Sequence, residues 1–520
     1  MKRYLPLAAA LLFAGGVKTA LVSAGAVPFN SDEAIVGLMA RHILNGARPT
    51  FFYGQAYMGS LDAYLVAAGF GLLAEEVWVI RLVQGILFSG FLISLWWLVR
   101  RQLDESHANL AVWLAAVPPV LITTYTTASL GGYSETLLLG NLILLFGWAL
   151  TGDDSDRRTV WFFAGAAAGL GFWVLGLACV YIFPIGLMEL RKIGRVKLPN
   201  ALIAGLGFVI ASLPWWLYNF AHKWEALLVI RALPSSSPLL NPVMDHLAGF
   251  LVLGMPALIG IRFPWASGYL PWGLSFLGVF LFLAILACAW AGWRAQAADR
   301  RSVRGFWNLF FIGFLAAFLF TRFGVDGTGR YLLPLFVWLV LVSAVGIHWL
   351  WLRSRLAGAL LFLGWSFLNI SGTYLAATAP DRITTQFDPI TRFDNSADQA
   401  LLDFLVKENV TRGYSNYWVA YRLAFLSREN LIFAPVLPYK DDLSYSQTDN
   451  RYPAYLEIVE ASQQSGLITS RHPVLDGLIE VGLRELGISY RIAEFGVYRV
   501  YYDLSHKVTA ADLTFEPLDP

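Results

Sequence analysis

Tyr4-Leu-Pro-Leu-Ala-Ala-Ala-Leu-Leu-Phe-Ala-Gly-Gly-Val-Lys-Thr-Ala-Leu-Val-Ser-Ala-Gly-Ala-Val27, followed without a break by Pro28-Phe-Asn-Ser-Asp-Glu-Ala34, decides how the rest of the chain is read. Roughly 20 apolar residues suffice to cross a bilayer, and this run carries one charge, Lys18, that either snorkels outward or faces a site. Lys2-Arg3 in front of it and Ala24-Gly-Ala26 at its end also have the form of a cleavable secretory signal. Because further apolar runs follow throughout, we read it as a first membrane span leading outward. An acidic pair, Asp32-Glu33, then stands at the outer surface.

Hydrophobic residues make up 57% of the 520 positions and charged ones 14%, where soluble chains are roughly a quarter charged. That makes the protein a polytopic membrane protein. A net charge of +2 and the lack of basic tracts give no sign of nucleic acid. Cys179 and Cys288 each lie inside an apolar run, which speaks against a disulfide framework or a cysteine-based metal site. Lys and Arg gather in short breaks at Lys2-Arg3, Arg100-Arg101, Arg157-Arg158, Arg191 to Lys197, Arg294 to Arg304 and Arg353 to Arg355, which the positive-inside rule places in the cytoplasm.

After the first span, crossings are expected at Val77–Val99, Ala108–Thr124, Glu135–Leu150, Val160–Gly176, Leu177–Leu190, Ala201–Tyr218, Leu270–Trp293, Phe306–Phe320, Leu332–Trp351 and Leu356–Tyr374. The fold class is thus mostly α, a helical membrane bundle of about 11 spans. Leu61–Leu73 is too short to cross and reads as interfacial, and Leu247–Ile261 as re-entrant or interfacial. Residues 1–376 form the membrane part, with a first outer loop at 28–76. Residues 377–520 change to a mixed, charged composition and read as a C-terminal extracytoplasmic α/β domain. Helices are expected there from Ser396 to Lys407, Tyr417 to Leu426, Pro453 to Gln464 and Pro473 to Leu486, a strand at Leu431–Pro435, and a hairpin from Ser489 to Tyr502.

In the first outer loop, Asn30-x-x-Glu33 has the form of a capping box in front of a short amphipathic helix that Gly46 and Pro49 end. Capping occupies Glu33 but leaves Asp32 without a structural task, so Asp32 is the leading catalytic candidate. Other polar groups collect in the outer loops: Tyr53, Gln55, Tyr57 and Asp62 after the helix and Lys223 after Tyr218, as candidate substrate-binding residues; Glu135 at the end of Thr126-Thr-Ala-Ser-Leu-Gly-Gly-Tyr-Ser-Glu135, as a catalytic candidate beside the acidic pair; and Arg322 to Arg330-Tyr331. Arginine at an outer boundary runs against the charge bias and asks for an anionic partner. Arg330, with Arg322 and Arg81, is therefore the candidate phosphate-binding group. A sugar on a polyprenyl phosphate fits such a face. Its transfer needs a carboxylate for the acceptor's proton and cations for the departing phosphate, and no nucleotide loop is present.

The acidic pair, the Phe52-Tyr-Gly-Gln-Ala-Tyr-Met-Gly-Ser-Leu-Asp62 loop, Gly132-Tyr-Ser-Glu135 and Gly329-Arg-Tyr-Leu-Leu-Pro334 together resemble the GT-C superfamily of membrane glycosyltransferases. The likeness is closest to bacterial relatives of the protein O-mannosyltransferases and the lipid A aminoarabinose transferase. It covers the membrane part. It implies inverting transfer from a polyprenyl-phosphate sugar to a hydroxyl acceptor at the outer face of the cytoplasmic (inner) membrane, with Asp32 as base, Glu33 its neighbour, Glu135 the acid of the second outer loop, and Arg330-Tyr331 near the donor phosphate. Gln55-Ala-Tyr-Met-Gly-Ser60 stands where the aminoarabinose transferases carry a Lys-Pro-Pro element, so that relative's substrate contacts do not carry over. Asp32, Glu33 and Glu135 are of the type that holds Mg²⁺ or Mn²⁺, but with Arg and Lys available to neutralise one phosphate no cofactor is expected. The competing readings are a transporter or flippase of lipid-linked sugars, which would place its polar groups near the bilayer midplane, and a lipid-linked polysaccharide ligase or polymerase. The Tyr414–Arg422 run is either a sugar-stacking element or the packed helix of the C-terminal domain.

Overall fold

The computed structural model describes residues 2–150, 157–190, 198–232, 242–295, 301–392, 395–444, 446–509 and 512. The basic break at Arg191 to Lys197 lies outside the described residues, as does part of the break at Arg294 to Arg304. The membrane part opens with α1 (Leu5–Ser23) and α2 (Ser31–Leu44), a small hairpin of β1 (Phe51–Phe52) and β2 (Gln55–Gly59), and α3 (Leu61–Leu72). Then come α4 (Val77–Gln102), α5 (Glu105–Ala116), α6 (Val120–Tyr125), α7 (Tyr133–Ala149), α8 (Arg158–Val174) and α9 (Cys179–Leu190). They are followed by α10 (Leu198–Ala211), α11 (Leu213–Ala221), α12 (Glu225–Ala232), α13 (Pro242–Ala248), α14 (Met255–Leu258), α15 (Trp272–Ala295), α16 (Arg301–Phe320), α17 (Leu335–Arg353) and α18 (Arg355–Thr378).

Every expected crossing carries helix. Among the described residues, six helices are long and apolar enough to span a membrane, seven if the bent pair α10–α11 is one span. Three of the remaining expected crossings are carried by shorter helices, α7 and α8 of 17 residues and α9 of 12, and two are broken. The expected crossing Ala108–Thr124 is divided into α5 and α6 at Pro118-Pro119, where two backbone donors are missing. Ala201–Tyr218 bends by 65° beside Pro214. Leu247–Ile261, read as non-crossing, is a short broken helix with a π-helical stretch at Gly249–Gly254.

Helices α8 and α10 pack at backbone distance. A Cβ at Gly165 would lie 1.9 Å from the carbonyl oxygen of Ala204, one at Gly169 2.2 Å from that of Phe208, and one at Gly207 2.3 Å from that of Phe162. Close approach of this kind is how helices associate where lipid removes the hydrophobic incentive.

The C-terminal part contains α19 (Asp398–Lys407), β3 (Arg412–Ser415), α20 (Tyr417–Leu426), β4 (Ile432–Pro435), α21 (Ala454–Ala461), β5 (Gly466–Ser470), α22 (Pro473–Glu485), β6 (Arg491–Phe495) and β7 (Tyr498–Tyr502). Its sheet has the order β4-β3-β5-β7-β6, with β3 parallel to both neighbours and β5, β7 and β6 antiparallel. The expected helices and hairpin are present. The strands β3 and β5 were not expected, and Ala397 rather than Ser396 is the N-cap of α19, with no side-chain cap bond. The domain seats on α2 through α20: a Cβ at Gly37 would come within 2.5 Å of the Phe425 ring.

Candidate active site

Helix α2 starts where Asn30 accepts a hydrogen bond from the Glu33 backbone N–H at 3.0 Å. The capping box expected here is made only by half. Glu33 is fully buried and, instead of reaching back, takes a bidentate pair from Arg81 of α4, Nε to Oε1 and Nη2 to Oε2, both at 3.0 Å. A buried carboxylate needs a full counter-charge, and a planar guanidinium supplies it better than one backbone N–H does. Arg81 is thereby committed to Glu33, and it also borders a lipid-facing groove with Lys18. Lys18 places its ammonium on Thr126 and Thr127.

Asp32, one position earlier, points elsewhere. It lines a cavity of about 70 Å³ together with Gln55, Tyr57, Tyr125, Tyr133, Arg330 and residues of the strap after α18, Thr385 and Phe387. Local sequence explains the convergence. Gly131 and Gly132 adopt φ of +74° and +75°, and a Cβ on Gly131 would strike the Met58 sulfur at 2.4 Å, so the turn before α7 closes against β2 only with glycine. Arg330 is presented by a turn in which Asp326 Oδ1 accepts from the Thr328 N–H at 2.8 Å and Gly329 takes φ of +112°. Its guanidinium pairs with Asp326 at 2.5 Å and lies 5.0 Å from the Tyr331 ring centroid. Two or three waters fill such a cavity, at about 30 Å³ each. A sugar ring is larger than that space, so its entry requires a wall to move.

The other candidates are distributed differently. Asp62 and Glu135 are buried, 2% and 1% exposed, and form an acid pair behind the cavity. Gln84 donates to Asp62 at 2.9 Å and Ser129 at 2.5 Å, while neither oxygen of Glu135 meets a donor among the described residues. Burial pushes the Asp62 carboxyl up against the pull of those two hydrogen bonds. Tyr53 stacks on Tyr452 and accepts or donates to His42 at 2.9 Å. Tyr331 lies edge-on to Phe323, Arg322 stands in the exposed turn that opens this loop, and Lys223 is exposed after α11. Asp32, Glu33 and Glu135 do not gather around one point, and no three His, Cys, Asp or Glu side chains do so among the described residues. As placed, they do not fit a shared divalent cation.

The search of solved structures gives a decisive likeness. ArnT from Cupriavidus metallidurans bound to undecaprenyl phosphate superposes with a TM-score of 0.63 over 96% of this chain and 97% of that one, at 14% identity. The fold is the GT-C fold. The apo state of the same ArnT gives 0.58 over 90% and 92%, at 14% identity. The archaeal oligosaccharyltransferase AglB from Archaeoglobus fulgidus, in complex with an inhibitory peptide and a dolichol-phosphate, gives 0.50 over 98% of this chain and 75% of that one, at 12% identity. The family described as dolichyl-phosphate-mannose-protein mannosyltransferase matches residues 60–218. No curated protein matches the sequence. The GT-C fold here brings to the cavity residues that the sequence reading missed. Tyr125 and Tyr133 line it directly, and Tyr417 and Arg451 of the C-terminal domain hydrogen-bond to two of its lining residues, Asp32 and Gln55.

Proposed function

We propose that the protein is a membrane glycosyltransferase that moves a sugar from a polyprenyl-phosphate donor to a hydroxyl acceptor at the outer face of the cytoplasmic membrane. One observation carries this reading: Asp32 and Arg330, far apart in sequence, border the same cavity. Asp32 takes the proton of the acceptor hydroxyl. The acceptor oxygen attacks the anomeric carbon, the bond from that carbon to the phosphate oxygen breaks, and the polyprenyl phosphate leaves with its negative charge facing Arg330. Attack by the acceptor on the side of the sugar opposite the departing phosphate, in a single displacement, gives inversion. Gln55 and Tyr57 offer hydrogen bonds to the ring. Glu33, Arg81, Asp62 and Glu135 act through the walls they build. The polyprenyl phosphates held by the structural neighbours support the donor class, and the grouping of polar side chains in loops instead of at mid-span helix breaks favours an enzyme over a transporter.

The test uses membranes containing the full chain and radiolabelled undecaprenyl-phosphate-linked hexoses and pentoses. Label should move from the lipid donor to membrane acceptors with the native chain and not with Asp32→Asn. Transfer by that variant at the native rate removes Asp32 from the base role.

A further inference from the structure

Tyr417 is the first residue of α20, directly after the C-terminal end of the parallel strand β3. In parallel α/β arrangements that edge is where functional side chains are presented. Here it is aimed at the membrane part. The Tyr417 hydroxyl donates to Asp32 Oδ1, and the backbone on each side is clamped. Ser31 Oγ donates to the Tyr417 carbonyl at 2.7 Å, the Asn416 side chain accepts from the Trp418 N–H at 3.0 Å, and the Asn416 amide donates to Ser470 at 2.9 Å. Tyr417 is 3% exposed. Burial first, and then the Asp32 carboxylate, drive its phenol far above the ordinary range, so it remains a donor at any working pH.

Arg451 holds this arrangement from the other side. Its guanidinium carbon lies 5.6 Å from the Tyr417 ring centroid. With the Gln55 amide turned so that its oxygen faces Arg451, the two terminal nitrogens reach it at 3.0 and 2.9 Å. Gly54 has φ of +69°, and a Cβ there would lie 2.8 Å from Arg451 Cδ, so the β1–β2 turn is shaped to let this side chain pass.

We propose that Tyr417 is a positioning residue for Asp32, held by Arg451, so that the C-terminal domain supplies part of the reaction site. The proposal rests on Asp32 being the base. A carboxylate free to rotate offers either oxygen in any direction. One oxygen tied to a clamped phenol leaves the other as the acceptor for the incoming proton, which is preorganisation of the kind that a buried third group gives a catalytic base.

The experiment compares Tyr417→Phe with Tyr421→Phe in the full-length protein, using the membrane transfer assay and undecaprenyl phosphate as a binding probe. Tyr421 is a neighbouring buried tyrosine whose hydroxyl donates to the Asp449 carbonyl at 3.2 Å and does not touch Asp32. Tyr417→Phe should lower kcat at least tenfold, with donor KM and undecaprenyl phosphate binding within twofold of the native chain. Tyr421→Phe should leave kcat within twofold. A kcat for Tyr417→Phe within twofold of native, or an equal fall in both variants, overturns the proposal. Asp32→Asn separates the two levels of argument. If it transfers normally, the base reading fails and this proposal fails with it; if it is inactive while Tyr417→Phe is not, only the positioning role fails.

Discussion

Asp32 and Glu33 are adjacent in sequence and meet arginine in opposite ways. Glu33 is sealed against Arg81, each carboxylate oxygen accepting one arm of a rigid fork, whereas Asp32 and Arg330 border one cavity with no hydrogen bond or ion pair between them among the described residues. A buried, closed ion pair is out of a substrate's reach. An open pair, each member steadied by its own neighbour, Tyr417 on one side and Asp326 on the other, can place a neutral hydroxyl and a leaving phosphate between two fixed charges.

That contrast can be broken most sharply at Asp32. Asp32→Asn should reduce sugar transfer about 100- to 10,000-fold while leaving the thermal unfolding of the detergent-solubilised protein nearly unchanged. Glu33→Ala should do the reverse: an unpaired buried Arg81 costs about 3–5 kcal/mol, seen as an early unfolding transition, with activity lost only in proportion to unfolded protein. Arg330→Ala should raise donor KM about tenfold with acceptor KM unchanged, and equal changes in both would move Arg330 out of the donor's half of the cavity.

A smaller effect sharpens the comparison through pH. Glu429 joins the C-terminal domain to α2 through His42 at 2.9 Å, and within its own domain accepts from the Tyr455 hydroxyl at 2.8 Å. Burial tends to raise its pKa, but those hydrogen bonds and the charge of Arg41 outweigh it, and the carboxyl ends below its usual range. A depressed carboxylate stabilises the fold fully above its unfolded value, about 4.3, and loses that contribution as pH falls through the lower folded value. Hydrogen exchange at the α2–α20 contact should therefore quicken below about pH 4, and Glu429→Gln should flatten the response. The smallest effect is expected at Lys223, which is exposed: Lys223→Ala should leave transfer and unfolding within error.

The membrane helices were legible because an apolar run long enough to cross has few other fates. Where the reading of spans differed, proline explains the breaks at Pro118-Pro119 and Pro214, and α7, α8 and α9 are simply short, at 17, 17 and 12 residues. The sheet was half legible. The hairpin β6–β7 has alternation and a turn, while β3 (Arg-Gly-Tyr-Ser) and β5 (Gly-Leu-Ile-Thr-Ser) are short, glycine-bearing and buried, with no period to read. Asp32 could be singled out because its neighbour matched the capping pattern and it did not, although Glu33 serves Arg81 instead of the cap. Tyr417 could not, since its partner lies 385 residues away and the only local signal, an aromatic-rich helix start, is equally that of a packed core. The fate of Arg81 was hidden for the same reason: a charge at a boundary shows the need for an anion but not whether protein or substrate supplies it.

The methyl-free seam between α8 and α10 sets a pattern of mutational tolerance. Side chains on the lipid side of these helices can be exchanged among apolar types with little penalty, but alanine at Gly165, Gly169 or Gly207 has nowhere to go. Substitution scans along α8 should alternate between permissive and forbidden positions at the helical repeat, marking a seam of the bundle that has no freedom to shift.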